Sequence, residues 1–415
     1  MDSYVIVGGG LAGAKAAETL RAEGFDGRIV LISEEGERPY ERPPLSKGYL
    51  LGTEEPDKAY VHDEQWYREH DVELELGVRA TMLDRASKQL TLDGGRTVSY
   101  DKLLLATGAR VRTLPVPGAD LHGVRYLRTF DESRELRNAF AQRPNVVVIG
   151  AGWIGLETAA AARKYGASVT VVEQDTLPLR RVLGDELGQV YADLHTEHGV
   201  EFRFSSGVIE ILGSDGHVTG VRLADGSEVP ADLVVVGIGV RPATELAAVA
   251  GLDVLDGPPG GVVTDERLRT SDPAIFACGD VAAFYHPRIG KRIRIEHWAN
   301  ALNGGKAAAL SMLGRDVVYD RVPYFYSDQY DFGMEYSGYV EPGGYDEVVF
   351  RGDPAAREFI AFWLAGGRVI AGMNANVWDV VQPIQALVRA GFADRTVDRD
   401  RLADPAVPLE SLVEE

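Results

Sequence analysis

The stretch Tyr4-Val5-Ile6-Val7-Gly8-Gly9-Gly10-Leu11-Ala12-Gly13 decides the fold of this chain. Its apolar run predicts a buried strand, and the G-x-G-x-x-G spacing predicts a tight turn into a helix. Glycines let the backbone approach a pyrophosphate at the helix N-terminus, where free N–H groups and the helix dipole favour anions. The stretch therefore predicts a dinucleotide site with Gly8, Gly10 and Gly13 against the pyrophosphate.

A second stretch of the same kind follows later in the chain. The apolar run 146–149 leads into Gly150-Ala151-Gly152-Trp153-Ile154-Gly155. One such motif binds one dinucleotide, so two motifs in one chain predict two dinucleotides and electron transfer from one to the other.

An acidic residue supports each motif. A helix predicted over 11–23 leads to the strand 28–32, which ends at Glu34, and a helix predicted over 154–165 leads to the strand 168–172, which ends at Glu173. An acid about 20 residues past the glycines is where a ribose 2′-hydroxyl is bound. Glu35 is an alternative to Glu34, because the end of a strand is predicted only to within a residue.

Bulk composition describes an ordinary globular chain. Its 415 residues allow two or three domains, and 45% of them are apolar and 26% charged. The net charge of −20 argues against a nucleic-acid partner, whose binding surface would be basic. The first strand leaves no room for a signal peptide and no apolar run approaches a membrane span, so we expect a cytoplasmic protein without membrane contact.

Cys278 is the only cysteine in the sequence. A single thiol excludes a disulfide within the chain, a cysteine metal cluster held by this chain and a redox-active dithiol, and we expect no metal.

The order of elements predicts an α/β fold with two Rossmann-like dinucleotide-binding domains plus a C-terminal α+β domain. We predict a discontinuous first domain over 1–114 and 243–318, because an apolar strand over 275–277 leads to Gly279-Asp280 and returns a carboxylate to a sheet end. The second domain is predicted over 115–242, closed by the strand 233–236. The third, over 319–415, alternates like antiparallel strands and ends in a helix predicted over 377–389.

Several ordered motifs resemble one family. They are the run from Glu37 to Lys47, then Leu105-Ala106-Thr107-Gly108, Gly155-Leu156-Glu157, Ala277-Cys278-Gly279-Asp280, Glu296-His297-Trp298-Ala299-Asn300 and Tyr326-Ser327-Asp328-Gln329. Together they resemble the ferredoxin reductases of bacterial oxygenase systems, the group of putidaredoxin reductase and the reductase components of aromatic-ring dioxygenases, which have the glutathione-reductase-like fold.

The resemblance implies FAD on the first domain and NADH on the second. The implied FAD residues are Gly8, Gly10, Leu11, Ala12, Gly13, Glu34, Arg42, Lys47, Ala106, Thr107, Gly108, Asp280, Glu296, His297 and Trp298. The implied NAD residues are Gly150, Gly152, Ile154, Gly155, Glu173 and Gly239. The helix that begins near Trp298 would direct its N-terminus at the flavin. Trp298 also fits a core position, and His297 a structural histidine.

Lys47 and Glu157 are the implied catalytic pair. Lys47 would favour the anionic reduced flavin and Glu157 would orient the nicotinamide, whereas a solvated loop lysine and a surface helix position are the alternatives. Related disulfide reductases carry a Cys-x4-Cys pair in this loop, but this chain reads Ser46-Lys47-Gly48. Electrons must therefore leave the flavin directly, and they leave one at a time if the acceptor is a [2Fe–2S] ferredoxin, as the resemblance implies.

One further expectation concerns the choice between NADH and NADPH. Glu173 is followed by Gln174 and Asp175, without an adjacent arginine for a 2′-phosphate, which favours NADH over NADPH although Arg180 and Arg181 follow.

A basic segment is the candidate docking site for the ferredoxin. It contains Arg288, Lys291, Arg292 and Arg294 with no acid among them, and Arg292 and Arg294 share one strand face. A small acidic partner could be steered to this segment, although an exposed hairpin with ordinary charges is the alternative.

Three functions remain open at this point. The first is an NADH:ferredoxin reductase that serves a cytochrome P450 or a ring-hydroxylating oxygenase. The second is a reductase of small quinone or radical acceptors, similar to monodehydroascorbate reductases. The third is a flavoprotein that acts through protein interaction, similar to apoptosis-inducing factors.

Overall fold

The computed structural model describes residues 2–412, in two compact units. Unit 1 comprises 2–42, 56–110 and 240–323, and unit 2 comprises 43–55, 111–239 and 324–412. The chain passes out of unit 1 within the strand Ala109–Val111 and re-enters it at Val240–Pro242. The three predicted domains, whose outer ends at Met1 and 413–415 lie outside the described residues, stay a prediction.

A parallel five-stranded sheet forms the centre of unit 1. Its strands, in spatial order, are Ile275–Ala277, Lys102–Leu105, Ser3–Val7, Arg28–Ser33 and Val72–Leu76. The first strand of the chain pairs in parallel on both sides, and its residues 4–7 are buried, as in a parallel sheet with both faces covered. This sheet confirms the first predicted Rossmann-like motif.

Smaller elements surround this sheet. A three-stranded sheet contains Ala80–Asp84, Gln89–Leu92 and Thr97–Ser99, and a four-stranded sheet contains Val254–Leu255, Gly261–Thr264, Ala282–His286 and Lys291–Ile293. The α-helices described in unit 1 are Leu11–Ala22, Glu64–Glu69, Glu245–Val249 and Trp298–Met312. Short 3₁₀ turns lie at Pro56–Ala59, Asp93–Gly95 and Gly279–Val281.

Unit 2 contains a second parallel sheet of the same kind. Its strands, in spatial order, are Val200–Arg203, Ser168–Val172, Asn145–Ile149, Leu233–Val236 and Val124–Arg125. The three-stranded sheet Val208–Ser214, His217–Leu223 and Glu228–Pro230 packs beside it through a shared apolar core. The helices of this part are Phe130–Phe140, Trp153–Lys164, Arg180–Leu183 and Asp185–Glu197. The second Rossmann-like motif is thereby confirmed.

The C-terminal part of unit 2 is an antiparallel sheet with helices, as predicted. Its five strands, in spatial order, are Tyr324–Gln329, Phe332–Gly338, Arg368–Ala375, Glu358–Ala365 and Glu347–Asp353. The remaining helices of unit 2 are the 3₁₀ turns Pro43–Ser46 and Leu409–Leu412 and the α-helices Val381–Phe392 and Arg399–Ala403.

The long helix of this part is present as predicted, but its ends lie later in the chain than expected. We expected it over 377–389, but it begins at Val381 and ends at Phe392. Pro383 explains the shift, because proline fits the first turn of a helix, where its missing N–H would have no partner, and breaks a helix interior. Within the described part of the chain, no helix is long and apolar enough to cross a membrane.

Candidate functional site

The first glycine turn is closed on one side and open on the other. Gly8 has φ +130°, and a Cβ there would lie 2.0 Å from the Ala106 carbonyl oxygen. A Cβ on Gly13 would lie 2.1 Å from the Gly8 carbonyl oxygen. At Gly10, by contrast, a Cβ would meet no atom of the described residues within 4 Å. Glycine is thus needed for packing at Gly8 and Gly13, whereas the open side of Gly10 leaves room for a ligand.

The same turn begins the helix Leu11–Ala22. Gly10 is its N-cap, and in residues 2–412 no side chain caps it. The first N–H groups of the helix are therefore available to an anion. Leu11 and Ala12 are buried, and a Cβ on Gly305 would lie 2.2 Å from the Ala12 carbonyl oxygen, so this helix and Trp298–Met312 pack very closely.

Two later motifs lie close to this turn, and the one at Asp280 was predicted from its place at the end of a strand. The Ala106 N–H donates to the Val7 carbonyl at 2.8 Å, and the Thr107 hydroxyl donates to the Ala243 carbonyl at 2.8 Å. Gly279 brings Asp280 close, since a Cβ on Gly279 would lie 3.3 Å from the Ala12 Cβ. Gly108, with φ +68°, follows directly after Thr107.

The two acids after the second strand have different partners. Glu34 accepts hydrogen bonds from Arg110 at 2.9 and 3.0 Å, and its carboxylate is 44% exposed. Glu35 accepts from Arg42 at 2.6 Å and from the Tyr40 hydroxyl, and Tyr40 forms a backbone bridge with Gly10. Both acids are therefore placed in unit 1, and the ribose assignment stays a prediction.

The motif from Glu296 to Trp298 begins the helix Trp298–Met312. His297 is the N-cap, and burial of its ring lowers its pKa to about 4. The Trp298 indole N–H donates to Glu41 at 2.8 Å, and Glu296 forms an ion pair with Arg294. The implied contacts of these residues with a flavin stay predictions.

The second glycine turn repeats the geometry of the first. Gly150 has φ +97°, and a Cβ there would lie 2.6 Å from the Gly237 carbonyl oxygen, while one on Gly155 would lie 2.0 Å from the Gly150 carbonyl oxygen. Gly152, the N-cap of Trp153–Lys164, has no neighbour within 4 Å of a Cβ and no side-chain cap among the described residues. Ile154 lies in the first turn and is 42% exposed.

Glu173 forms hydrogen bonds with the backbone at this second turn. Its carboxylate accepts the Ala151 N–H at 2.6 Å and the Asp175 N–H at 2.9 Å. Arg181, which could have met a 2′-phosphate, donates to Asp175 at 2.6 Å, and Arg180 pairs with Asp185. Gly239, with φ +91°, has an open side and accepts from the Arg112 N–H at 2.9 Å.

Lys47 and Glu157 form an ion pair within unit 2. The distance from Lys47 Nζ to Glu157 Oε1 is 2.5 Å, and the side chains are only 16% and 4% exposed. Glu157 also accepts from the Ser46 hydroxyl at 2.5 Å and the Ser327 hydroxyl at 2.7 Å. The alternative interpretation as a solvated lysine and a surface glutamate is thus wrong, because Glu157 is buried, Lys47 is mostly shielded from solvent, and the two form an ion pair.

Cys278 is 1% exposed, and burial raises the pKa of its thiol to about 12. A thiol is nucleophilic only as thiolate, so this residue is chemically inert in the fold. Among residues 2–412, no group of three or more His, Cys, Asp or Glu side chains is arranged to hold a metal ion.

The basic segment is not the exposed patch of unpaired positive charge that we expected. Arg292 donates to the carbonyls of Thr264 and Ala283, the latter at 2.7 Å. Arg294 is 13% exposed and donates to the Pro259 carbonyl at 2.6 Å as well as pairing with Glu296. Both arginines tie the loops of unit 1 together.

Arg288 and Lys291 differ from these two arginines. Arg288 is 47% exposed and pairs with Asp320 at 2.7 Å, an acid that lies outside the basic segment in sequence. Lys291 lies in the strand Lys291–Ile293 and is half-buried. The docking surface, reduced to this pair, stays a prediction.

The polar residues around Glu157 were not predicted as part of the site. Ser46 and Ser327 were visible only as members of motifs, with no role given to them. His195, in the helix Asp185–Glu197, has its Nε2 atom 2.7 Å from Gln329 Oε1. No sequence pattern indicated this contact, because a helical histidine is not distinguishable from any other until the strand packed against it is known.

Two uncapped glycine turns, one in each unit, and a buried lysine–carboxylate pair without a thiol define a two-dinucleotide oxidoreductase. A family model described as pyridine nucleotide-disulphide oxidoreductase matches residues 2–305, and one described as reductase C-terminal matches residues 324–413.

Individual relatives agree with these families. The chain is 42% identical to rhodocoxin reductase of Rhodococcus erythropolis over 90% of this chain and 86% of that protein. It is 40% identical to the anthranilate 1,2-dioxygenase system ferredoxin–NAD(+) reductase component of Burkholderia cepacia over 99% of both chains. A solved structure of the covalent putidaredoxin reductase–putidaredoxin complex matches with a TM-score of 0.93 and 36% identity, over 100% of this chain and 98% of that one. The chain therefore belongs to the pyridine nucleotide-disulphide oxidoreductase family, in the branch of the ferredoxin reductases of bacterial oxygenase systems.

Proposed function

We propose that this protein passes electrons from NADH through FAD to a [2Fe–2S] ferredoxin, in the cytoplasm, in the service of a cytochrome P450 or a ring-hydroxylating oxygenase. The observation that carries the proposal is the Lys47–Glu157 pair, at a loop position where the thiol-dependent members of the family have cysteine. With Cys278 buried and inert, no protein sulfur takes part.

The first glycine turn fits FAD. The open side of Gly10 and the uncapped start of Leu11–Ala22 suit a pyrophosphate, and a Cβ at Gly10 would occupy that space. We assign Gly8, Gly10 and Gly13 to the pyrophosphate, one of the acids Glu34 and Glu35 to the ribose, and Asp280 to the ribityl chain or phosphate. When bound, FAD would accept a hydride and release electrons one at a time.

The second turn fits NADH. Glu173 lies beside the Ala151 amide, where a carboxylate can accept from a ribose hydroxyl and repel a 2′-phosphate. Asp175 neutralises Arg181, the nearby cation that could reverse this preference. We therefore assign NADH rather than NADPH.

Lys47 favours the anionic reduced flavin and Glu157 orients the nicotinamide. Neither residue exchanges a proton in the hydride step. Three donors hold Glu157, so its carboxylate stays fixed, and the ammonium group of Lys47 is held in turn by Glu157. A positioned cation favours the negative charge that hydride transfer brings to its acceptor. The pair would act through this preorganised charge.

The ferredoxin test uses the purified holoprotein with NADH and cytochrome c. We expect cytochrome c reduction to be slow alone and to accelerate when a [2Fe–2S] ferredoxin is added. Fast turnover with small quinones alone would select the small-acceptor reductase instead. NADH-induced dimerisation with slow turnover under all conditions would select the interaction flavoprotein.

The docking surface is tested separately. Arg288→Glu combined with Lys291→Glu should raise KM for the ferredoxin and flatten the salt dependence of this KM, since charge steering is screened as ionic strength exceeds ~0.1 M. NADH-to-ferricyanide activity should be unchanged. Lys58→Glu, an exposed lysine elsewhere in unit 1, is the matched control. An unaltered ferredoxin KM in the double variant would place docking elsewhere.

A further inference from the structure

A line of buried hydrogen bonds runs through unit 2 and ends on Glu157. The Gln329 amide N–H donates to the Ser327 hydroxyl oxygen at 3.1 Å, and Ser327 Oγ lies 2.7 Å from Glu157 Oε1. His195 Nε2 lies 2.7 Å from Gln329 Oε1, and the Tyr330 hydroxyl lies 3.3 Å from His195 Nδ1. None of these outer residues belongs to the catalytic pair.

The fold aligns these residues. Ser327 and Gln329 are alternate residues of the strand Tyr324–Gln329, so they point to the same face. His195 comes from the helix Asp185–Glu197 and Glu157 from the helix Trp153–Lys164. Three separate elements thus deliver one continuous polar line.

The direction of this line follows from the chemistry of its members. Ionised Glu157 can only accept, so the Ser327 hydroxyl donates to it, and the Ser327 oxygen accepts from the Gln329 amide. The Gln329 carbonyl oxygen can only accept, so His195 must carry its proton on Nε2. His195 Nδ1 is then an acceptor for the Tyr330 hydroxyl. Every donor therefore points towards Glu157.

Burial keeps the line dry and the histidine neutral. His195 is fully buried, and Ser327 and Gln329 are 2% and 3% exposed. Burial lowers the pKa of His195 to about 4, so the ring is neutral at physiological pH. Hydrogen bonds in such a low-dielectric line polarise one another in one direction.

We propose that His195 and Gln329 are positioning residues that act through Ser327 to fix the Glu157 carboxylate, and through it Lys47. The inference rests on the function proposed for Lys47 and Glu157. The line strengthens Ser327 as a donor and holds its hydroxyl in one rotamer, so that Glu157 presents Oε1 to Lys47 in one geometry.

The kinetic test removes single links. Gln329→Met keeps the shape of the side chain and removes both hydrogen bonds, and we expect it to slow flavin reduction by NADH about 3- to 10-fold at saturating NADH. Ser327→Ala should slow it more, by about 10-fold or beyond, and Ser327→Thr, which keeps the hydroxyl, should restore the rate. Gln385→Met is the matched control, since Gln385 donates to Ser337 at 3.3 Å elsewhere in unit 2.

A purely structural role predicts a different pattern. In that case Gln329→Met and Gln385→Met would lower Tm and FAD content alike, and hydride transfer per bound FAD would be unchanged. That result would overturn the inference. If Lys47→Met itself leaves hydride transfer unchanged, the proposed function fails instead, so the two failures are distinguishable.

The direction of the line has its own test, which is independent of activity. Nitrogen-15 histidine NMR of the holoprotein and the apoprotein should show His195 as the neutral Nε2–H tautomer at pH 7. Gln329→Met should shift the Nε2–H resonance, whereas Gln385→Met should not. A His195 ring protonated on Nδ1, or a charged imidazolium at pH 7, would overturn the proposal.

Discussion

Replacing Lys47 with methionine is the sharpest test of the proposed site. The substitution keeps most of the side-chain length and removes the charge that lies 2.5 Å from the Glu157 carboxylate. Removing one partner of a buried ion pair costs ~3–5 kcal/mol of stability. We expect the lower end, about 3 kcal/mol, because the hydroxyls of Ser46 and Ser327 still donate to Glu157.

The kinetic effect follows from the same contact. A hydrogen bond to a charged group contributes ~1.5–3 kcal/mol, so its loss from the hydride-transfer step should slow flavin reduction about 10- to 150-fold. The assay is anaerobic stopped-flow bleaching of the flavin by NADH, with FAD content measured on the same sample. FAD retention should change much less, because Lys47 is assigned to the reacting edge of the flavin ring and not to the pyrophosphate.

Two variants control this experiment. Lys58→Met removes an exposed lysine and should leave the rate unchanged. Lys47→Arg keeps the charge but replaces a compact ammonium by a planar fork, so we expect partial activity. If Lys47→Met reduces its flavin within a factor of about two of the unaltered protein, the charge has no part in hydride transfer and the reasoning is refuted.

Four further outcomes are expected. Gly10→Ala should fold normally and raise the FAD dissociation constant about tenfold, whereas Gly8→Ala should fail to fold, because its Cβ would meet the backbone. An FAD dissociation constant in Gly10→Ala equal to that of the unaltered protein would contradict the pyrophosphate assignment. The protein should prefer NADH by about 10- to 100-fold in kcat/KM, and Glu173→Ala should narrow this ratio, as steady-state kinetics with both nucleotides will show. Cys278 should resist iodoacetamide at pH 8 until the protein is unfolded, because a pKa of about 12 leaves almost no thiolate; rapid labelling of folded protein would refute its burial. The pKa of His195 is about 4 in the folded protein and 6.5 in the unfolded chain, so the unfolded state binds more protons between these pH values. The contribution of His195 to the free energy of unfolding is therefore present above pH 6.5 and is lost towards pH 4, at about 1.4 kcal/mol per pH unit. In His195→Asn, the free energy of unfolding measured with denaturant should depend less steeply on pH over this range.

The strand–turn–helix motifs could be predicted from sequence because their signals are local. The strands 168–172 and 233–236 lie at the predicted residues, and both glycine turns start helices within a residue of the prediction. The helix predicted over 377–389 exists but begins at Val381, because Pro383 fits only the first turn of a helix.

The arrangement of charges was harder to predict, because it depends on neighbours that are distant in the chain. Arg288 and Arg294 looked unpaired because their partners Asp320 and Glu296 lie outside the segment. Arg292 looked exposed because nothing in a sequence marks backbone carbonyls as its partners. Lys47 and Glu157 were paired only through a resemblance, since no local pattern connects them.

The discontinuity of unit 1 has a consequence for how the chain is made. The strand Lys102–Leu105 pairs on one side with Ile275–Ala277, which the ribosome completes about 170 residues later, roughly 10–30 s at ordinary rates of synthesis. During that interval residues 111–239 emerge, and they contain all strands of their own parallel sheet. The apolar edge formed by Leu103, Leu104 and Leu105 is meanwhile not yet paired with Ile275–Ala277. An unpaired apolar strand edge is a site of association between nascent chains. Yield in a cell should therefore depend on chaperones that shield this edge, and a chain cut short before residue 275 should aggregate rather than accumulate as a soluble fragment.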